Sequence, residues 1–267
     1  MKTYIKIYES IKQKVMRFSK ILHFDKLASK IGRKLAIKIE DIISLSLFKQ
    51  SNNIATKKSL YHIFQPSCSY KTLVVNMNRF VASALQALLL ILTVNRRSTH
   101  IIKHIDSTNI PVCLFKNAHA HKTMKDLSSF SRTSTGTFFG LKLHIISDLN
   151  KRLLSIKFTT GNIGDREVTI PLSKDLTGIF VADAGYISSK LSREFYQENK
   201  RILLAQPRKN MKKIITTLEN QIYGTRMLIE LHFRSLKMFY GLITSLPRSI
   251  NGYLANYIYS LLAYQLV

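Results

Sequence analysis

Tyr223, Arg226, Glu230 and Lys237, near the end of the chain, combine the side chains needed to hold a metal ion beside a phosphate. At about 100° per residue, counted from Tyr223, they fall at about 0°, −60°, −20° and −40°, so one helix would present all four on one face. Ile229, Phe233, Leu236, Phe239 and Tyr240 fall between about 160° and 280° on the same count and predict a buried apolar back. Arg234, at about 20°, joins the polar front. Glu219 lies near −40° (about one stripe with Glu230) and competes for the carboxylate role, but the intervals to Arg226 and Lys237 favour Glu230.

Upstream, two aspartates follow predicted strands: Asp106 in Ile105-Asp106-Ser107-Thr108 and Asp183 in Ala182-Asp183-Ala184-Gly185-Tyr186. Neighbouring strand ends of a mixed sheet bring such side chains together. Two close carboxylates repel, so a divalent cation is their natural companion. Glu230, on a helix packed over the sheet, completes a set of three carboxylates, and oxygen-only ligation selects Mg²⁺ or Mn²⁺ over zinc. Two such ions roughly 4 Å apart can activate an attacking oxygen and stabilise a leaving one in phosphodiester displacement. Taken singly, each acid has a plainer role: an aspartate after a strand caps a turn, and Glu230 is a solvated helix residue. Their joint placement in a chain with only 15 acidic residues carries the argument.

The elements that must position these side chains divide near Arg96-Arg97. Residues 1–98 read as an all-helical, basic domain with 18 Lys+Arg against 4 Asp+Glu. Helical spacing runs through Leu35–Leu47, a short helix spans about Ser59–Phe64, and a long one spans about Tyr70–Thr93. Such a domain could read DNA through a helix-turn-helix-like arrangement or serve as a dimerisation module. Residues 99–267 predict an α/β domain with a mixed sheet. Its strands lie at Ile101–Asp106, Phe138–Ser147, Leu153–Thr159, Gly178–Asp183 and Arg201–Ala205, and Asp148-Leu149-Asn150-Lys151-Arg152 forms a hairpin turn. Helices follow Asp165, which can cap the first of them, and Ser188 or Ser189. The long helix bearing Tyr223 to Lys237 precedes a last one near Leu254–Leu266.

These motifs resemble the catalytic core of bacterial insertion-sequence transposases of the DDE class. Tyr223-x2-Arg226-x3-Glu230-x6-Lys237 is similar to the Y-R-E-K signature of that class at every interval, and Asp106 and Asp183 to its two aspartate motifs. Thr160-Gly161-Asn162 with Asp165-Arg166 resembles a family loop, and the likeness runs from about His104 to the C-terminus. The resemblance implies an RNase H-like sheet flanked by helices, with Asp106, Asp183 and Glu230 as ligands of two Mg²⁺ or Mn²⁺ ions. It further implies that Tyr223, Arg226 and Lys237 position DNA phosphates, with Arg234 beside them. The implied reaction is hydrolysis at the element end, then transesterification by the freed 3′-hydroxyl. The implied partners are double-stranded DNA of element ends and target, held by a homodimer.

Composition agrees with a polyanionic partner. The chain of 267 residues carries 41 Lys+Arg against 15 Asp+Glu, a net +26, and its 46% apolar content supports a folded core. Cys68 and Cys113 offer no disulfide framework, the N-terminus lacks an uninterrupted apolar region, and the apolar run Ser83–Val94 is short for a bilayer. The expectation is a soluble, cytoplasmic protein with no membrane partner. Cys113-x5-His119-x-His121, with His104 and His144, matches no standard structural zinc site. His119, Lys122, Lys125 and the run Arg208–Lys213 are candidate DNA contacts or solvated loops, and Tyr186 is expected under the site. Three other readings remain: a catalytically decayed DNA-binding regulator of the same descent, an RNase H-like nuclease without strand transfer, and a basic protein that coats DNA.

Overall fold

The structure, a computed structural model, describes residues 2–27, 34–133, 136–207 and 216–267. Five helices come first: α1 (Lys2–Leu22), α2 (Ile39–Ser51), α3 (Lys57–Phe64), α4 (Tyr70–Arg79) and α5 (Val81–Arg97). Strands β1 (Ile102–Pro111), β2 (Ser129–Thr133), β3 (Gly136–Asp148) and β4 (Leu153–Thr160) follow. Then come α6 (Asp165–Leu172), β5 (Ile179–Ala182), α7 (Ser189–Asn199), β6 (Ile202–Ala205), α8 (Thr217–Gly224), α9 (Met227–Met238) and α10 (Ile250–Leu266).

The chain forms two compact units, residues 1–91 with 235–267, and residues 92–234. In the helical unit α2 is buried almost all round, through Ile39, Ile42, Ile43, Leu45, Leu47 and Phe48, and packs on α1, α4 and α10. Its Gln50 amide donates to the backbone and side-chain oxygens of Asn256 at 3.0 and 2.9 Å, which ties α2 to α10. The C-terminal helix therefore packs among the N-terminal helices. Thr56, Ser69 and Ser249 cap α3, α4 and α10 by accepting backbone N–H bonds three residues on. The expected single helix over Tyr70–Thr93 is two helices, α4 and α5, bent by 43° at Phe80. No proline or glycine marks that break. No single described helix is long and apolar enough to cross a membrane; α4 and α5 reach that composition only as a bent pair.

In the α/β unit the strand order is β2-β3-β1-β5-β6, with β4 also pairing β3. β1 runs antiparallel to β3 and parallel to β5, and β5 runs parallel to β6, so the sheet is mixed as expected. One side of it is buried by α6 and α7 through Ile105, Ile146, Leu154, Val168, Leu172, Phe180, Tyr186 and Phe195. This is the RNase H-like arrangement of a mixed sheet flanked by helices, preceded by helices.

Four local differences from the sequence expectation matter. β2, a polar five-residue strand paired with the start of β3, has no apolar alternation to announce it. β1 continues past Asp106 to Pro111 because β3 pairs with it throughout. Gly164, not Asp165, is the cap of α6, and Asp165 is its first residue. The helix expected to carry Tyr223 through Lys237 is broken: Gly224 ends α8, the Thr225 hydroxyl closes on Ile222 O at 2.6 Å, and α9 restarts at Met227. Phe239, expected in the buried back, lies beyond α9 and is exposed.

Gly178 turns the chain into β5 at φ +104°, and a Cβ there would stand 2.3 Å from Ile101 O. Gly178→Ala should cost on the order of 2 kcal/mol or more, read as a lowered urea midpoint. An unchanged midpoint would mean the turn relaxes freely.

Candidate active site

The parallel register of β1 and β5 builds the floor of the site. Ile102, Lys103 and His104 pair with Ile179, Phe180 and Val181; Asp106 and Asp183 each follow the last pair by two residues, near enough that the charge of one acts on the other. Asp106 Oδ1 accepts the Ser107 N–H at 2.8 Å. Asp183 Oδ1 accepts the Gly185 N–H at 2.8 Å, where a Cβ on Gly185 would press on the same oxygen at 2.8 Å. The Arg166 guanidinium donates to Gly185 O at 2.7 Å and holds this turn from α6.

Arg226 spans the mouth. Its Nη2 donates to Asp106 Oδ2 at 2.9 Å and its Nη1 to Glu230 Oε1 at 2.6 Å, while Nε is buried without a hydrogen-bond partner. Asp106 is mostly covered, whereas Glu230, in the first turn of α9, is 59% exposed. The corner carrying Arg226 is fastened to the sheet one residue earlier. Thr225 Oγ1 lies 2.8 Å from His104 Nε2 and gives its own proton to Ile222 O, so Nε2 carries hydrogen and His104 is the donor. Burial lowers the His104 pKa to about 4, which keeps the ring neutral in this role. His104, two residues before Asp106 on the same strand, is a positioning residue that the sequence offered only as a zinc candidate.

A further carboxylate stands close. Asp165 Oδ1 accepts the Ser107 hydroxyl at 2.8 Å and the Lys142 ammonium at 3.2 Å. Burial raises the Asp106 pKa to about 6, against the pull of Arg226 and the Ser107 N–H, and the charges of Asp183 and Asp165 add to the rise. Tyr186 is buried beneath, its phenol held protonated first by burial and then by the same three aspartates.

Residues 96–249, more than half of the chain, match the family described as Transposase DDE domain. The chain belongs to that family. The match takes in the six described strands and ends before α10. Among curated proteins none matches the chain. A transposase domain acts on DNA, and transposases of the DDE class use divalent metals.

The side chains of this transposase domain can be set against such a metal. The carboxylate oxygens of Asp106, Asp183, Asp165 and Glu230 are of the donor type that a hard divalent cation prefers. Among the described residues, no three His, Cys, Asp or Glu side chains stand close enough to hold an ion as they lie. The guanidinium of Arg226 takes the cationic place between Asp106 and Glu230. With that guanidinium displaced, the carboxylates of Asp106 and Glu230 would lose their counter-charge and could take Mg²⁺ or Mn²⁺ in its place.

The remaining candidates are spread more widely. Tyr223 is half-buried on α8, and Arg234 is exposed on α9. Lys237 lies two turns beyond Glu230, half-buried, its pKa lowered by that burial. Glu219 closes a capping box with Thr216 at the start of α8, accepting Thr216 N–H at 2.8 Å. His144 bonds Thr159 at 2.9 Å, and the His119 ring rests 5.2 Å from that of Phe130. Arg208–Lys213 lies outside the described residues.

The raised Asp106 pKa makes a signed prediction for the metal-free protein. A carboxyl with folded pKa about 6, above its unfolded value, favours folding while protonated, and that benefit is lost as pH rises from about 4 to about 6. Asp106→Asn mimics the protonated form. It should unfold at a higher temperature than wild type at pH 8, by on the order of 1–3 kcal/mol, with the gap closing below about pH 4. A gap of the same size at both pH values would refute the assignment.

Proposed function

We propose that this chain is the transposase of a bacterial insertion sequence, cutting DNA at the ends of its element and joining the freed 3′-hydroxyl to target DNA. The observation that carries the reading is Arg226, which reaches Asp106 across 120 residues of sequence and Glu230 one helical turn away. Two of the four Y-R-E-K positions, Arg226 and Glu230, meet beside Asp106, which supports the reading in a chain of net charge +26.

In the first step water attacks a phosphodiester and the 3′-oxygen leaves as a hydroxyl. In the second that hydroxyl attacks target DNA, one P–O bond forming as another breaks, so no nucleoside triphosphate is consumed. Asp106, Asp183 and Glu230 would hold two Mg²⁺ or Mn²⁺ ions, which would supply Lewis acidity for both steps. Arg226, with its planar fork, grips a phosphate next to the scissile bond, and Lys237 adds a point charge. Tyr223 and Arg234 hold the strand beside them. The basic segment 1–98 contacts DNA or pairs two copies, and a homodimer brings two element ends together.

Labelled element-end DNA with Mg²⁺ or Mn²⁺ tests the reading. Cleavage that Asp106→Asn reduces at least a thousandfold, with DNA binding intact, and joining of the cut end to a second duplex are the expected results. Cleavage without joining would make the chain a nuclease, and binding without cleavage a regulator of the same descent. Affinity should fall about a thousandfold or more between 50 and 200 mM salt, as many phosphate contacts require. A flat salt response contradicts that part.

A further inference from the structure

The helical unit carries a half-open cavity of about 410 Å³ lined from α2, α3, α4, residues 244–249 and the first half of α10. That volume is in the range of about 300–1,000 Å³ that suits a small organic ligand. The lining includes the apolar Tyr70, Val74, Met77, Leu246 and Pro247 and the cations Lys49, Lys57 and Arg248, the last of them exposed. The Lys49 ammonium donates to Gln50 Oε1 at 3.0 Å and that of Lys57 to Asn78 Oδ1 at 2.8 Å. Among the described residues no carboxylate pairs with either. Burial lowers both pKa values to about 8, and the Lys49 charge lowers that of Lys57 further.

Two ammonium groups drawn together away from water destabilise the free protein, and an anion between them would offset that cost through charge-assisted bonds. A bare phosphate would use the cations alone. The apolar lining, the Tyr70 ring at 42% exposure and the amide nitrogen of Asn78 suit a flat heteroaromatic body with a hydrogen-bonding edge. We propose that this cavity binds a nucleoside monophosphate unit, with its phosphate on Lys49 and Lys57 and its base against Tyr70, Val74 and Met77. The unit comes either from a free mononucleotide or from a nucleotide unstacked from a DNA strand. Nothing in this assignment depends on phosphodiester chemistry at Asp106, whose residues belong to the other compact unit.

Calorimetric titration of the full chain with thymidine 5′-monophosphate, thymidine, inorganic phosphate and a short oligothymidylate tests it. The monophosphate should bind at least tenfold more tightly than thymidine or phosphate. Lys49→Gln, Lys57→Gln and Lys57→Met should each weaken it tenfold or more, while Lys58→Gln, on the exposed side of the same helix, leaves it unchanged. The Lys57 variants should also raise Tm in the absence of nucleotide, because a desolvated charge is removed, so that lost binding is not lost folding. Oligothymidylate that competes with the monophosphate and shares its Lys57 dependence identifies a strand nucleotide as the source; monophosphate binding alone identifies the free compound. Phosphate binding as tightly as the monophosphate, equal losses from Lys57→Gln and Lys58→Gln, or no binding by monophosphate and oligonucleotide would overturn the proposal.

Discussion

The Arg226 guanidinium lodged between the Asp106 and Glu230 carboxylates is the contact on which the site depends. Asp106 is a mostly covered acid beside Asp183 and Asp165, and leaving it charged there without a partner is costly. Arg226 supplies the missing charge from a corner between two helices. The guanidinium is itself partly buried, a cost to its charge that the carboxylates of Asp106 and Glu230 outweigh. The same arrangement is suited to exchange, because a phosphate offers the fork an equivalent pair of oxygens and a divalent ion offers the acids an equivalent charge.

Several contacts in the α/β unit hold that geometry. The parallel pairing of β1 with β5 leads both strands toward Asp106 and Asp183, and the antiparallel pairing with β3 extends β1 past Asp106 to Pro111. His104, neutral because it is buried, ties the α8–α9 corner to the strand that carries Asp106. Arg166 and Gly185 fix the turn after Asp183. Glu230, on an exposed helix turn, is more open to solvent than Asp106.

Much of this was legible in the chain because spacing and chemistry agree. The buried strand Gly178–Asp183, the Asp148–Arg152 hairpin and the Ser188 cap all rest on local signals, and the structure forms them. The mixed sheet follows from that order. Other features depend on contacts that no local pattern carries. The helix break at Gly224–Arg226 is stabilised by His104, 121 residues away. The bend at Phe80 has neither proline nor glycine, and β2 exists only because β3 offers it an edge. The placing of α10 among the first helices comes from Gln50 and Asn256, two amides with nothing in their sequence surroundings to pair them. In the candidate site the two aspartates could be set together from strand ends, but the nearness of Asp165 and the bridging by Arg226 needed the fold.

Calorimetric titration of Mn²⁺ into the metal-free protein tests the exchange of guanidinium for metal most directly. The account predicts that wild type binds Mn²⁺, that Asp106→Asn loses most of that affinity, and that Arg226→Gln binds about tenfold more tightly because the competing cation is gone. Mn²⁺ affinity that is indifferent to Asp106→Asn, or weakened by Arg226→Gln, would contradict it.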